Sequence, residues 1–305
     1  MADARTLERT HAQTTVIPEL RPVSAVHKPP QGHWVGDGFP VRTIFSYDNA
    51  APVSPFLLMD YAGPHDFPPA EKRRGVGEHP HRGFETVTIV YSGEVDHRDS
   101  GGGGGRIGPG DVQWMTAGSG VVHEEMHSPE YTRQGGAFEA IQLWVNLPRR
   151  LKMMAPRYQT LLAADIPELA LPDGAGSVRI VAGEFNGGKG PAQTFTPMGL
   201  WEVRLNGGHG TMLPVPAGHT VSLFVLKGSV KINGRTEAKH AEFVQFGASG
   251  EAFRLDAEND ARVLVLSGEP IPEPVFGYGP FVMNTEDEIR TAIEDYRSGR
   301  MGHLR

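Results

Sequence analysis

The chain of 305 residues contains no cysteine. Disulfide bonds, zinc–thiolate sites, iron–sulfur clusters and cysteine nucleophiles are therefore excluded, because each of them needs a thiol. Any metal that this protein binds must be held by nitrogen and oxygen ligands, which means mainly histidine and carboxylate side chains.

Long apolar runs are also absent. The longest purely aliphatic stretches, such as residues 263–266, are far shorter than the ~20 residues that a transmembrane helix needs. The first twenty residues mix acidic and basic side chains and contain no apolar run typical of a signal peptide. We therefore expect a cytoplasmic protein that does not contact a membrane.

Positive charge is in short supply. The chain has 29 Lys and Arg residues against 36 Asp and Glu residues, and its formal net charge is −7 with histidine neutral. A nucleic-acid binder that works by electrostatics needs a basic stripe, so direct nucleic-acid binding is not expected.

Several catalytic motifs are missing. The chain has neither a Gly-x-Ser-x-Gly nucleophile motif nor a dinucleotide-binding fingerprint, so hydrolase and dehydrogenase functions lose support. The glycine run at residues 101–105 is not followed by Gly-Lys-Ser/Thr, and we interpret it as a flexible hairpin loop rather than a phosphate-binding loop.

Turn-forming residues are abundant, with 39 glycines and 25 prolines. Between them lie short segments rich in β-branched and aromatic residues, which predict an antiparallel all-β fold. Examples are residues 41–46, 56–61, 84–91, 137–146, 178–185, 221–227 and 262–266. Asn233-Gly234 predicts a two-residue hairpin turn, because that turn type needs positive φ at both positions.

A weak internal repeat divides the chain. Residues 89–95 align with residues 225–230, which places Gly93 over Gly228 and predicts two related barrels. We expect four segments: a flexible N-terminal arm at 1–30, a first barrel at 31–150, a linker at 151–172 and a second barrel at 173–305. A short linking helix is expected in the linker, at Met153, Met154, Leu161 and Leu162.

One helix is predicted clearly, over residues 285–298. Thr285 and Glu288 form a capping box at its start, and apolar side chains recur at helical spacing at Ile289, Ala292, Ile293 and Tyr296. We expect this helix to dock on a barrel.

Two pairs of potential metal ligands carry the chemistry. His79 and His81 are two apart in a strand predicted to run to Tyr91, and residues two apart in a strand point to the same face. His123 and Glu125 repeat this spacing after a glycine-rich turn. Three histidines and a carboxylate suit Fe(II), Mn(II), Ni(II) or Cu(II) with positions left open for a substrate.

Two residues, Glu125 and Glu85, are candidates for the carboxylate ligand. Counting by two from His81 places Glu85 on the same face, so Glu85 competes with Glu125 as the ligand, or supports an imidazole from behind. His97 and His127 flank the proposed centre, and we interpret each as a surface residue or a support rather than a ligand.

Taken together, these motifs resemble the pirin family within the cupin superfamily. The resemblance spans about residues 35–300 and rests on motifs at residues 55–60, 79–87, 110–118, 123–126, 142–147, 268–270 and 279–285. It implies a bicupin, which is a pair of packed β-barrels, with one iron site in the first barrel.

The resemblance also implies a ligand set. Carried over position by position, the ligands are His79, His81, His123 and Glu125, which favours Glu125 over Glu85. In the second barrel, the repeat places Pro214 and Pro216 where His79 and His81 stand, so that barrel is expected to hold no metal. His219 alone is not expected to restore a site.

Two functions follow from the resemblance. Some pirins resemble flavonol dioxygenases, which cleave quercetin with O₂ and release carbon monoxide. This predicts a quercetin 2,3-dioxygenase with a flavonol-like substrate, O₂ and Fe(II), for which Mn, Ni, Co or Cu are alternatives. Glu125 is then the catalytic base that takes the proton of the flavonol 3-hydroxyl.

The alternative is a non-enzymatic regulator. Other pirins are described as iron-dependent, redox-responsive proteins that bind a transcription factor or a metabolic enzyme. The acidic net charge suits a protein partner better than DNA. Both functions use the same four ligands, so the ligand motifs alone do not separate them.

Overall fold

Antiparallel strands make up most of both halves of the chain. The computed structural model describes residues 18–49 and 53–304. Strand β1 (Val23–His27) comes first in the chain. The first half then contains β2 (His33–Val35), β3 (Phe39–Phe45), β4 (Phe56–Phe67), β5 (Gly75–His81), β6 (Phe84–Ser92), β7 (Val95–Asp99), β8 (Gly104–Ile107), β9 (Val112–Thr116), β10 (Val121–His127), α1 (Pro129–Gln134), β11 (Gly136–Asn146) and β12 (Arg157–Leu161).

The second half begins at the third strand after α1. It contains β13 (Glu168–Ala170), β14 (Gly176–Ala182), β15 (Glu184–Phe185), β16 (Gly188–Lys189), β17 (Met198–Leu205), β18 (His209–Pro214), β19 (Thr220–Lys227), β20 (Ser229–Ile232), β21 (Thr236–Lys239), β22 (Phe243–Phe246), β23 (Ala252–Ala257), β24 (Ala261–Gly268), β25 (Phe276–Tyr278), β26 (Phe281–Met283) and α2 (Glu286–Arg297). Short 3-10 turns cover Tyr47–Asn49, Arg149–Leu151, Ala163–Asp165 and Pro172–Gly174.

Each half is built from one large and one small sheet. The large sheets have seven strands each, in the orders β12-β9-β6-β11-β4-β3-β2 and β1-β22-β19-β24-β17-β14-β13. The small sheets have four strands each, in the orders β5-β10-β7-β8 and β18-β23-β20-β21. The predicted all-β architecture of two related domains with a C-terminal helix is confirmed.

The turns that the sequence predicted are in place. Asn233 and Gly234 turn β20 into β21 with the expected positive φ values, 51° and 67°. The register pairs Ile232 with Thr236, so the connection has three residues rather than the two expected. Gly93 and Gly228 follow the equivalent strands β6 and β19 and also have positive φ, at 84° and 74°. The internal repeat is therefore a repeat of backbone geometry.

The two large sheets pack on each other through their outer faces. Val87 and Trp114 from the first sheet share one apolar cluster with Leu200, Phe224 and Leu264 from the second. Because side chains alternate along a strand, the neighbours of these residues face the interior of their own domain.

The N-terminal segment crosses to the second domain. Strand β1 pairs with β22, and Val23 and Val26 pack against the apolar cluster of that domain. The prediction of a flexible arm over 1–30 is therefore wrong for this strand, whose apolar residues are held by the neighbouring sheet edge. The part of the predicted arm at 1–17 lies outside the described residues.

The C-terminal segment crosses in the opposite direction. Phe281 and Ile289 share an apolar cluster with Val122 of the first domain, and Arg82 forms a 2.8 Å ion pair with Asp295 of α2. The predicted helix is confirmed, with its cap at Thr285. Its place differs from the expected second barrel of 173–305, because its apolar face packs on the first.

The predicted linker also divides between the domains. Strand β12 pairs with β9 of the first large sheet, and β13 pairs with β14 of the second, so the crossing lies between residues 161 and 168. The expected linking helix is wrong: residues 149–151 form a 3-10 turn, and Leu161 ends a strand and is buried between the sheets. Within the described residues, no helix is long and apolar enough to cross a membrane.

Candidate metal centre

Strands β5 and β10 lie side by side in the small sheet of the first domain. Their antiparallel register places His79 directly opposite His123. His81 lies two residues beyond His79 on β5, as the spacing predicted. The sheet therefore brings the two ligand pairs together although they are about 40 residues apart in the sequence.

The strand boundary next to this cluster differs from the prediction. We expected one strand from His79 to Tyr91, whereas β5 ends at His81 and a turn at Gly83 leads into β6. Gly83 has φ of +90°, and a Cβ at this position would lie 2.1 Å from the carbonyl oxygen of Val282. The close approach of the C-terminal segment requires glycine here.

The three imidazoles converge on one point. Ligand nitrogens of His79, His81 and His123 lie within 4.8 Å of one another. His79 Nδ1 lies 2.8 Å from the Gly77 carbonyl oxygen and His81 Nδ1 lies 3.4 Å from that of Pro280. A carbonyl only accepts, so both Nδ1 atoms carry the proton and both Nε2 atoms keep a lone pair.

Burial keeps the rings of His81 and His123 neutral. Desolvation lowers the pKa of His81 and of His123 well below the ordinary value of 6.5, and the neighbouring imidazoles lower both further. The buried Nε2 of His123 has no hydrogen-bond partner. Neutral imidazoles with unused lone pairs are what a divalent metal requires of its ligands, so the site fits one.

Glu125 reaches the same cavity from β10. Its Oε2 accepts a hydrogen bond from Gln142 Nε2 at 2.9 Å, and its Oε1 accepts one from Thr88 at 3.2 Å. Gln142 and Thr88 come from the large sheet, so both sheets of the first domain contribute to the position of this carboxylate.

Glu85 points elsewhere. The turn at Gly83 interrupts the alternation on which the comparison with His81 depended, and Glu85 accepts a 2.7 Å hydrogen bond from Thr116. Its β6 neighbour Val87 lies in the cluster between the two domains. Burial raises the pKa of Glu85 to about 7, and the hydrogen bond from Thr116 opposes this rise. Neither possible metal-binding group of the described residues includes it.

The flanking histidines have separate roles. His97 is buried, and its Nδ1 lies 3.2 Å from Nδ1 of His123, so it supports the cluster as one of our two interpretations predicted. His127 is also buried but packs in an aromatic group with Phe67 and Phe138, away from the other histidines. Its interpretation as a surface residue or a support is wrong.

An apolar cavity opens beside the histidines. It measures about 370 Å³ and is lined by His79, His81, Glu125 and mainly apolar side chains. Trp144 forms one wall, where it stacks on Phe84 with ring centroids 4.2 Å apart. A cavity of this kind, with a few polar groups in a mainly apolar lining, suits a small and largely apolar ligand.

A row of polar side chains crosses the large sheet behind this cavity. Neighbouring strands place these residues opposite one another in the register, in the order Thr43, Asp60, Gln142, Thr88 and Gln113. Asp60 lines the cavity and accepts a 2.6 Å hydrogen bond from Thr43. Burial raises the pKa of Asp60 above its ordinary value. Our sequence interpretation missed this row, which polar residues inside otherwise apolar strands could have revealed.

The C-terminal hairpin, β25 and β26, closes one side of the cavity. Gly279 and Pro280, at its turn, line the cavity. The buried Lys152 donates hydrogen bonds to the carbonyl oxygens of Gly83 (2.7 Å) and Val282 (3.0 Å) and so ties the hairpin to the turn after His81. Desolvation lowers the pKa of Lys152 to about 8.

Comparison with family models identifies the protein family of the chain. Residues 38–145 match the Pirin model, and residues 200–302 match the model of the Pirin C-terminal cupin domain. The chain belongs to the pirin family. The two matched segments fall one in each domain, so this pirin is a bicupin.

Some of the proteins similar to this chain carry the name of an enzyme. This pirin is 54% identical over 282 residues to a protein of Pseudomonas aeruginosa provisionally named quercetin 2,3-dioxygenase, covering 92% of this chain and 98% of that protein. It is 37% identical to mouse pirin, covering 88% and 89% of the two chains. A crystal structure titled quercetin 2,3-dioxygenase from Acinetobacter baumannii is 49% identical, with a TM-score of 0.91 over 94% of this chain and 100% of that one.

Proposed function

We propose that this pirin is a metal-dependent flavonol 2,3-dioxygenase that cleaves quercetin-like substrates with O₂ and releases carbon monoxide. The observation that carries this proposal is the convergence of the His79, His81 and His123 imidazoles beside an apolar cavity, whose lining also includes Glu125. The names of the similar proteins from Pseudomonas and Acinetobacter support the same activity.

The residues that would hold the metal are His79, His81, His123 and Glu125. The bare Nε2 atoms of the histidines and the carboxylate make a mixed nitrogen and oxygen set that suits Fe(II), our proposed metal, as well as Mn, Ni, Co or Cu. When bound, the metal supplies a Lewis acid that can hold the flavonol oxygens as a template.

Glu125 is the proposed base. It takes the proton of the flavonol 3-hydroxyl on a carboxylate oxygen, which leaves the substrate as an electron-rich anion. Gln142 and Thr88 hold the two oxygens of this carboxylate and fix its position relative to the cavity. Positioning of this kind keeps the base within reach of the hydroxyl as it loses its proton.

The cavity walls would orient the flavonol. Trp144, backed by Phe84, offers a flat aromatic surface, and Val35 and Phe39 line the cavity as further apolar walls. Asp60 and Gln142 are polar groups on the same lining and can hydrogen-bond to ring hydroxyls of the substrate. An apolar cavity also keeps bulk water away from the deprotonated substrate.

The direct test is turnover. The protein is reconstituted with Fe(II) without oxygen, quercetin and O₂ are added, and the loss of flavonol absorbance and the release of carbon monoxide are recorded. Glu125→Gln should abolish turnover with the fold intact. Glu124→Gln is the matched control, because Glu124 precedes it on β10 but pairs with Arg98 at 2.6 Å, outside the cavity.

Two outcomes contradict the proposal. Full turnover in Glu125→Gln would remove this residue from the mechanism. Stoichiometric iron without turnover of any flavonol, in the wild type and with each of the other metals, would contradict the dioxygenase and favour a redox-responsive regulator with a protein partner.

A further inference from the structure

His123 differs from the other two histidines in how its proton is placed. His79 and His81 each face a backbone carbonyl, which fixes the proton on Nδ1. His123 Nδ1 instead faces Nδ1 of His97 at 3.2 Å. Since either Nδ1 atom can donate or accept, the other hydrogen-bond partners of the two rings must determine which Nδ1 carries the proton.

Gln113 determines the role of His97 Nδ1. Its side-chain oxygen accepts a hydrogen bond from the Tyr158 hydroxyl at 3.2 Å, and its Nε2 faces His97 Nδ1 at 3.0 Å. An amide nitrogen only donates. His97 Nδ1 must therefore be an acceptor, and its proton must be on Nε2.

Asp99 determines the role of the other ring nitrogen, His97 Nε2. Its Oδ2 lies 3.2 Å from His97 Nε2, and because an ionised carboxylate can only accept a hydrogen bond, Nε2 must carry the proton. Its Oδ1 accepts hydrogen bonds from the backbone amides of Gly101 at 2.8 Å and Gly103 at 2.9 Å. The glycine run at 101–105, which we predicted to be a flexible loop, thus fixes the orientation of this carboxylate.

From this geometry, and resting on the proposed metal site, we propose that Asp99 and His97 are positioning residues that set the tautomer of His123. Asp99 holds the His97 proton on Nε2, and the one lone pair of His97 Nδ1 accepts hydrogen bonds from both Gln113 Nε2 and the Nδ1–H of His123. The lone pair of His123 Nε2, which is buried and without a partner, is then directed at the metal.

This assignment removes His97 from the ligand set. His97, His123 and Glu125 also lie close enough together to hold a metal. Both nitrogens of His97 are, however, occupied by Asp99 and by the donors on Nδ1, and its ring stacks on Tyr158 with centroids 5.0 Å apart. His97 acts on the metal only through His123.

The tautomers can be observed without any metal. In ¹⁵N-histidine-labelled, metal-free protein, two-bond ¹H–¹⁵N correlation spectra distinguish the two tautomers of each ring, and His97→Gln and His123→Gln assign the signals. We expect His97 protonated on Nε2 and His123 protonated on Nδ1. His123 protonated on Nε2 would overturn the proposal, whether or not any variant folds.

Asp99→Asn tests the cause, because it preserves the shape of the side chain. The amides of Gly101 and Gly103 require an oxygen, so the new NH₂ group faces His97 Nε2 and opposes a proton there. The Nδ1–H form of His123 should lose population, and the Kd for Co(II) should rise 10- to 100-fold, as expected for loss of a group that orients a ligand.

The matched control is Asp96→Asn. Asp96 lies on the same strand and carries the same charge, but it pairs with Arg73 and Arg106 on the surface. Its Kd for Co(II) should equal that of the wild type. Equal Kd values in Asp99→Asn and Asp96→Asn would overturn the proposal, and so would a Co(II) absorption spectrum of saturated His97→Gln that has lost a ligand. None of these readouts uses a flavonol or O₂, so they stand apart from the test of the dioxygenase.

Discussion

The two domains share a backbone plan but fill their interiors with opposite chemistry. In the first domain, five adjacent strands of the large sheet present the polar row from Thr43 to Gln113. The topologically equivalent strands of the second domain present a row of apolar residues, in the order Ile180, Trp201, Val265, Leu223 and Val244. All five are buried.

This difference shows what a binding site demands of a barrel. A buried polar side chain must find a partner, or it costs free energy. In the first domain the row residues bond to Glu125, to His97 and to one another, so the cost is offset where the metal ligands need support. In the second domain, the apolar row packs within that domain's own core.

The largest expected effect is loss of the site that distinguishes the domains. His123→Ala should abolish stoichiometric metal binding and reduce turnover at least ~10³-fold, because it removes a ligand of the proposed metal. Metal content by mass spectrometry and flavonol turnover measure this effect. His209→Ala, an exposed histidine on β18 of the second domain, should change neither quantity. Full metal content in His123→Ala would contradict the ligand assignment.

The next effect concerns the two rows themselves. Leu223→Thr introduces a hydroxyl into the apolar row and leaves space beside it, and should lower the free energy of unfolding by about 3 kcal/mol. Urea unfolding measures this change.

The reciprocal variant sharpens the comparison. Thr88 stands at the equivalent position of the first domain, and Thr88→Val keeps its shape. It should change the free energy of unfolding by less than about 1 kcal/mol while weakening the hold on Glu125. Equal destabilisation by both substitutions would mean that the two rows do not differ in this way.

A third effect is the pH dependence of stability that comes from Glu85, which lies on the face of the first large sheet that packs on the second. The repeat spacing that places Gly93 over Gly228 places Glu85 over Thr220, so only the first domain has a carboxyl here. Burial raises the pKa of Glu85 from 4.5 to about 7. Between these values the folded state binds more protons than the unfolded state, so the contribution of Glu85 to stability falls as pH rises through this window.

Glu85→Gln removes that loss. At about 1.4 kcal/mol for each pKa unit, the variant should be more stable than the wild type by roughly 3 kcal/mol at pH 8 and nearly equal to it at pH 4. Urea unfolding at the two pH values measures the difference. A gain that is the same at both would show that ionisation is not its cause, and loss of bound metal would return Glu85 to the ligand set.

The smallest effect concerns the support of Glu125. Gln142→Met keeps the length of the side chain but removes the donor to Oε2, and should lower kcat about 10-fold, or roughly 1.4 kcal/mol. Steady-state kinetics measure this change with KM alongside it. Gln159→Met serves as the control, because Gln159 on β12 is half-buried and its amide bonds to Gln193 rather than to Glu125. An unchanged kcat would show that Gln142 does not position the base.

Much of this could be predicted from local patterns. The capping box at Thr285, the turn at Asn233-Gly234 and the two ligand pairs all depend on spacings of two to four residues. The errors arose where distant chain segments meet. Gly83 ends a strand because Val282, 199 residues later, approaches it closely, and β1 is held by a sheet edge more than 200 residues away in the chain.

The sequence by itself determined the ligand types, the two related all-β domains and the C-terminal helix, because side-chain chemistry and backbone periodicity are local properties. Only the tertiary structure decided that His79 faces His123, that Glu85 points between the domains and Glu125 into the cavity, and that Asp99 stands behind His97. Those arrangements depend on the register between strands and on which chain segments cross between domains, and both are settled by packing over the whole molecule.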